Sequence, residues 1–118
     1  MVTKIMMEIE KILIVDDEEG IRKLMKVYCR GYIVKTAENG KIGLELTAQR
    51  NYDIIFSDHF MPVMGGLEFR KELLKKKYIT KFVLMSGAEI LEKTKREYKL
   101  YGCLMKPFTR KEFYGYFK

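Results

Sequence analysis

The stretch KILIVDDEEG, Lys11 to Gly20, runs four apolar residues straight into four carboxylates. An unbroken apolar run of this length, with no polar alternation, is the pattern of a strand covered on both faces, as in a parallel sheet. Such a strand does not ordinarily finish in crowded acids, because like charges repel and raise one another's pKa values. Either a solvated loop or a divalent cation must offset that charge.

Working outward, further strand candidates stand at 32–37 (YIVKTA), 53–56 (DIIF), 81–85 (KFVLM) and 103–105 (CLM), several of them likewise continuous apolar runs. Amphipathic stretches lie between them. Ile21, Leu24, Met25 and Tyr28 fall at i, i+3, i+4 and i+7, which is one helical stripe. A second helix is expected from Gly40 to about Arg50, a third from Leu67 to about Lys77, and a fourth from about Ala88 to Tyr101, closed by Gly102. The last begins at Thr109, where TRKE reads as a capping box with Glu112 reaching back, and runs to Lys118 with Gly115 inside it. The first and last helices, both short, are expected to share one face of the sheet. Five β–α units in strict alternation require a parallel sheet with right-handed crossovers. The fold class is therefore α/β, a doubly wound five-stranded domain with five helices.

The chain has 118 residues, the size of one domain, and 47% hydrophobic with 33% charged residues suits a globular protein rather than a disordered one. No apolar run approaches the roughly 20 residues of a membrane span, and MVTKIMMEIE lacks the apolar core of a signal peptide. Residues 1–9 are expected to form an extension, with the domain occupying 10–118. Cys29 and Cys103 have no metal-ligand spacing and read as reduced structural thiols in a cytoplasmic protein. The net charge of +7 makes an acidic partner plausible.

Isolated polar residues fall at the carboxyl ends of these strands. Asp16 and Asp17 end the first, Asp58 sits just past the third, Ser86 ends the fourth and Lys106 the fifth. In open α/β sheets that edge is where ligands bind. Three carboxylates converging there fit a hard cation such as Mg2+, which takes one or two carboxylates and keeps waters or phosphate oxygens. Cation, amine and hydroxyl together suit the equatorial oxygens of a phosphoryl group, and Asp58 could be the nucleophile that forms an acyl phosphate.

The landmarks ILIVDDE, DIIFSDHFMPVMGG, FVLMSG and LMKPFT, in this order, resemble the receiver domain of two-component response regulators and span residues 11–118. The chain is similar to stand-alone chemotaxis and sporulation-relay receivers. That resemblance implies a flavodoxin-like sheet of order 2-1-3-4-5 and phosphoryl transfer to Asp58 from a sensor histidine kinase or histidine phosphotransferase. It implies Mg2+ held by Asp17 and Asp58, by Asp16 through water, and by the backbone carbonyl of Phe60. It also implies that Ser86 bonds the phosphoryl group after switching, that Lys106 pairs with it, and that the Lys106–Pro107 bond is cis.

Such a protein is a self-phosphorylating switch rather than a turnover enzyme. Its output surface would be the fourth helix, fifth strand and fifth helix, where Lys93, Lys95, Arg96, Lys99, Arg110 and Lys111 cluster. No membrane insertion or direct nucleic-acid binding is expected. Departures from the family pattern stand at Cys103, where an aromatic is usual, and at Phe60 and Ala88, positions that tend to orient the hydrolytic water. Slow autodephosphorylation is the consequence.

Glu18 and Glu19 read as complements to a helix dipole, His59 as an exposed loop residue, and Gly65 and Gly66 as a tight turn that could need positive φ. The rival readings are a receiver cut from a longer DNA-binding transcriptional regulator, a pseudo-receiver that binds without chemistry, and an aspartate-nucleophile phosphatase.

Overall fold

Ile12, Leu13, Ile14 and Val15 are all fully buried, which is why the first run shows no alternation: both of its faces are covered. The computed structural model describes residues 9–117. The elements are β1 (Lys11–Val15), α1 (Glu19–Tyr28), β2 (Ile33–Ala37), α2 (Gly40–Thr47), β3 (Ile54–Asp58), α3 (Gly66–Lys75), β4 (Lys81–Ser86), α4 (Glu92–Glu97), β5 (Gly102–Met105) and α5 (Arg110–Tyr114), followed by a 3-10 turn, Gly115–Phe117. The strands are parallel in the order β2-β1-β3-β4-β5, the flavodoxin-like arrangement expected.

Alternate residues of the central strands feed two cores. Ile12, Ile14, Ile54, Phe56, Val83 and Met85 face α1 and α5, meeting Met25, Cys29 and Phe113. Leu13, Val15, Ile55, Phe82 and Leu84 face the other side, against Phe69 and Leu73 of α3. The two short helices do share a face: Tyr114 donates its hydroxyl to the Tyr28 carbonyl at 2.7 Å, and the Tyr28 and Phe113 rings lie 5.8 Å apart. Cys29 and Cys103 pack on opposite cores, so no disulfide can join them. Of the expected extension, residues 1–8 lie outside the described residues, and Ile9 packs against the first core. Lys118 is also outside them.

The largest correction concerns α4, which spans Glu92–Glu97 rather than 88–101. At its start Ile90 turns into the second core and the chain stays extended through Leu91, the N-cap, with φ −64° and ψ 146°. At its end Lys99 adopts φ +50°, and the Leu100 N–H donates back to the Lys95 carbonyl. This is the six-residue closing bond of a Schellman turn, with lysine where glycine is usual. Lys77, at φ +57°, closes α3 in the same way, ending that helix at Lys75. Gly102 is therefore no helix cap. It opens β5, and the Tyr116 ring lies directly over its Cα, leaving no room for a side chain.

Smaller corrections follow the same logic. The helix α2 stops at Thr47, whose hydroxyl turns back to the Leu44 carbonyl at 2.9 Å, rather than at Arg50. The α-helical part of α5 ends at Tyr114, and the chain tightens to 3-10 geometry from Gly115. Its capping box is present as read: Glu112 N–H donates to Thr109 Oγ1 at 3.0 Å, and Thr109 N–H to the Glu112 carboxylate at 2.8 Å.

Candidate functional site

The carboxyl edge of the sheet gathers the expected residues. Asp16 and Asp17 follow β1, Asp58 is the last residue of β3, Ser86 the last of β4, and Lys106 follows β5. Asp58 and Ser86 thus belong to the strands, and their backbones are held by the ladder. One carboxylate oxygen from each of Asp16, Asp17 and Asp58 lies within 4.8 Å of the others.

Asp16 is fully buried and bonded on every side. Its N–H donates to the Ala37 carbonyl at 3.0 Å, its Oδ1 accepts from Glu18 N–H at 2.9 Å, and its carbonyl accepts from Arg22 Nη1 at 2.7 Å. Its Oδ2 accepts from Lys106 Nζ at 2.7 Å. The same ammonium lies 3.3 Å from Asp58 Oδ1 and 3.7 Å from Glu18 Oε1. Asp17 is exposed.

The electrostatics follow from this crowding. Burial and then the charge of Asp16 push the Asp58 carboxyl up to about 6, against the opposing pull of Lys106 and a hydrogen bond from the His59 backbone. Burial works to lower the Lys106 pKa, but its hydrogen bond to Asp16 and the charges of Asp16 and Asp58 hold it above the usual lysine value. One ammonium does not offset three carboxylates. A hard oxygen donor set with surplus negative charge fits a divalent cation such as Mg2+.

Ser86 is buried and accepts from Ala88 N–H at 3.1 Å. Its carbonyl accepts from Lys106 N–H at 2.8 Å, just before the cis Lys106–Pro107 bond. His59 is not the exposed loop residue expected. It is half-buried, its Nδ1 lies 3.5 Å from Ser86 Oγ, and Phe60 stacks on its ring at 3.9 Å between centroids. Burial lowers the His59 pKa. The Phe60 side chain is otherwise exposed.

The loop after Asp58 corrects another expectation. Neither Gly65 nor Gly66 takes positive φ; Val63 does, at +71°. The helix α3 instead packs so tightly on the strand end that a side chain at Gly66 would overlap the Asp58 carbonyl oxygen. Glu18, expected only to complement a helix dipole, also brings its carboxylate to the site, 3.7 Å from Lys106 Nζ.

A cavity of about 220 Å3 lies behind Ser86, bounded by Ile90, Lys95, Cys103 and Met105. Cys103, with its thiol pKa raised by burial, leaves this space unfilled by any ring. A larger cleft, about 580 Å3, lies at the opposite edge of the sheet, around Arg70, Thr80, Lys81 and Tyr101. There the Arg70 guanidinium bonds the carbonyls of Tyr98, Thr80 and Lys99, and Lys81 lies over the Tyr101 ring. These contacts hold elements together, and Asp16, Asp17, Asp58, Ser86 and Lys106 are all at the other edge. No helix among the described residues is long and apolar enough to cross a membrane.

Comparison with known proteins adds to this geometry. The family model described as the response regulator receiver domain matches residues 12–118. The chain is 32% identical over 105 residues to the transcriptional regulatory protein ResD of Bacillus subtilis, covering 86% of this chain and 44% of that one. It is 33% identical over 106 residues to the probable transcriptional regulator ycf27 of Guillardia theta, covering 87% and 42%. The chain thus spans less than half the length of these curated relatives.

Among solved structures, the Vibrio cholerae chemotaxis protein CheY4 superposes with a TM-score of 0.83 at 31% identity, covering 92% of this chain and 95% of that one. Thermotoga maritima TrrA, solved in complex with Mg(2+)-BeF, gives 0.79 at 32% identity, covering 91% and 95%.

Proposed function

Because the chain belongs to the response-regulator receiver family, a family of two-component signalling switches, we propose that Asp58 is its phosphoacceptor. The observation that carries this reading is the reach of one ammonium, Lys106, to both Asp16 and Asp58 beside three converging carboxylates. The donor would be a phosphohistidine on a sensor kinase or histidine phosphotransferase. An Asp58 carboxylate oxygen attacks phosphorus as the P–N bond breaks. The bonding pair returns to the imidazole nitrogen, which is left neutral or takes a proton from solvent.

Asp17, Asp58 and the Phe60 carbonyl are the residues to hold Mg2+, with Asp16 acting through water. The ion's chemistry is to neutralise charge on the phosphoryl oxygens. Lys106, already 3.3 Å from Asp58, pairs with one of those oxygens, and Ser86 donates its hydroxyl to another. Acquiring up to two negative charges, Asp58 draws Lys106 and Ser86 inward. That motion biases the α4, β5 and α5 surface, where Lys93, Arg96, Lys99, Arg110 and Lys111 are exposed. An acidic protein partner suits that charge. The protein is a switch and not a turnover enzyme, it works in the cytoplasm, and residues 10–118 are the receiver unit.

The experiment is 31P NMR with phosphoramidate, a small donor with a P–N bond. An acyl-phosphate resonance that needs Mg2+ and is absent from Asp58→Asn supports the reading; its absence from the native protein with Mg2+ counts against it. The curated relatives, named as transcriptional regulators of more than twice this span, favour one second reading: a receiver module of a longer DNA-binding regulator. The complete reading frame decides between them. The pseudo-receiver alternative is opposed by the joint presence of Asp17, Asp58 and Lys106 at one edge.

A further inference from the structure

The buried Ser86 hydroxyl has one proton to donate, and a buried O–H left without an acceptor is costly. Its oxygen already accepts from Ala88 N–H, so that contact does not use the proton. Among the described residues, the side-chain atom facing the hydroxyl is His59 Nδ1, 3.5 Å away, which accepts the proton in the tautomer that carries its own on Nε2.

The placement of that ring is determined by its backbone. His59 N–H donates to the Met85 carbonyl at 2.9 Å, extending the β3–β4 ladder one residue past Asp58 and setting the imidazole beside Ser86, the next residue of β4. The His59 carbonyl accepts from Gly66 N–H at 2.8 Å, so the residue is pinned from α3 as well. Phe60 covers the ring face, its centroid 3.9 Å from that of the imidazole. A backbone bonded on both sides and a ring covered on one face suit the residue to fix a neighbour's hydroxyl.

We propose that His59 is a positioning residue that holds the Ser86 hydroxyl in the resting state and thereby sets how strongly the domain resists switching. The inference rests on Asp58 being the phosphoacceptor. A phosphoryl group on Asp58 needs the Ser86 proton for one of its own oxygens, so it must take that proton from His59. The imidazole is a competitor for the hydroxyl. Removing its acceptor raises the free energy of the resting state and leaves the phosphorylated state untouched, which shifts the balance toward switching.

The test uses beryllofluoride with Mg2+, a phosphoryl mimic, with affinity read by 19F NMR. Asparagine places its side-chain oxygen near the position of His Nδ1, whereas leucine offers no acceptor. His59→Leu is expected to bind the mimic about threefold to tenfold more tightly, the span of one net hydrogen bond. His59→Asn should stay within about twofold of the native protein on the same scale. In a Ser86→Ala background, His59→Leu should change nothing. Unchanged or weaker binding by His59→Leu overturns the proposal, as does an equal gain without Ser86. If the native protein itself fails to bind the mimic, the phosphoacceptor reading fails instead, and this inference with it. A second measurement needs no variant: 15N shifts of the resting imidazole should show Nε2–H with Nδ1 unprotonated. A proton on Nδ1 contradicts the proposal.

Discussion

Lys106 Nζ lies 2.7 Å from Asp16 Oδ2, joining the ends of β5 and β1 across the two strands between them. Asp16 is fully buried and the lysine side chain is 19% exposed, so this pair is largely shielded from water. Removing one partner of such a pair leaves an uncompensated carboxylate beside two others. Lys106→Met should therefore lose about 2–4 kcal/mol of stability in the absence of divalent cations. Urea denaturation with EDTA and with Mg2+ checks this. Mg2+ should restore more stability to the variant than it adds to the native protein.

The raised pKa of Asp58 has a definite sign for stability. Its ordinary value is 3.8 and the folded value about 6, so between these the folded protein keeps a proton that the unfolded chain has released. Stability must then fall as pH rises through that window, and the group is neutral in both states below it. Asp58→Asn should be more stable than the native protein at pH 7 without Mg2+, and the difference should vanish below about pH 4. Thermal melts across this range give the answer. A native protein that gains on Asp58→Asn as pH rises would reverse the sign.

Hydrolysis of an Asp58 phosphoryl group needs an oriented water, and Phe60 and Ala88 offer no polar side chain to hold one. The Phe60 ring is exposed and spends its inner face on His59. The aspartyl phosphate should be long-lived, and Phe60→Asn should shorten its lifetime severalfold. Acid-quenched decay after removal of the phosphodonor measures both. A native lifetime of seconds contradicts the account.

Arg70 is nearly fully buried in α3, and its Nε, Nη1 and Nη2 donate to the carbonyls of Tyr98, Thr80 and Lys99 at 2.9, 3.2 and 2.8 Å. It closes the carboxyl end of α4 and ties it to the start of β4. Lysine carries its donors on a single nitrogen and lacks the planar spread by which Nε, Nη1 and Nη2 reach three separate carbonyls. Arg70→Lys should cost about 2–4 kcal/mol, read by denaturant midpoint, with acetyl phosphate reactivity retained at temperatures where the variant is folded.

What could be read in advance divides by range. The three central strands were legible because burial on both faces leaves an apolar run no polar register to hide in, as in Ile12, Leu13, Ile14 and Val15. The convergence of Asp16, Asp17, Asp58 and Lys106 was legible because each stands at the end of such a run. The ends of α4 were not. Ile90 leaves the helix for the core and Lys99 takes a conformation its side chain disfavours, and both are tertiary outcomes.

The same limit hid Arg70, which looks like any polar position of an amphipathic helix until its three carbonyls are placed. It also hid Asp53, whose Oδ2 accepts from the N–H groups of Glu10 and Lys11, some 40 residues away in the chain, at the entry to β1. The contact of His59 with Ser86 depends on the β3–β4 register, which no local pattern encodes.

The most direct test of the central claim is acid-quenched intact mass after incubation with acetyl phosphate, with and without Mg2+, beside Asp58→Asn. The account predicts a Mg2+-dependent gain of one phosphoryl group in the native protein and none in the variant. No adduct, together with no consumption of acetyl phosphate, would contradict it.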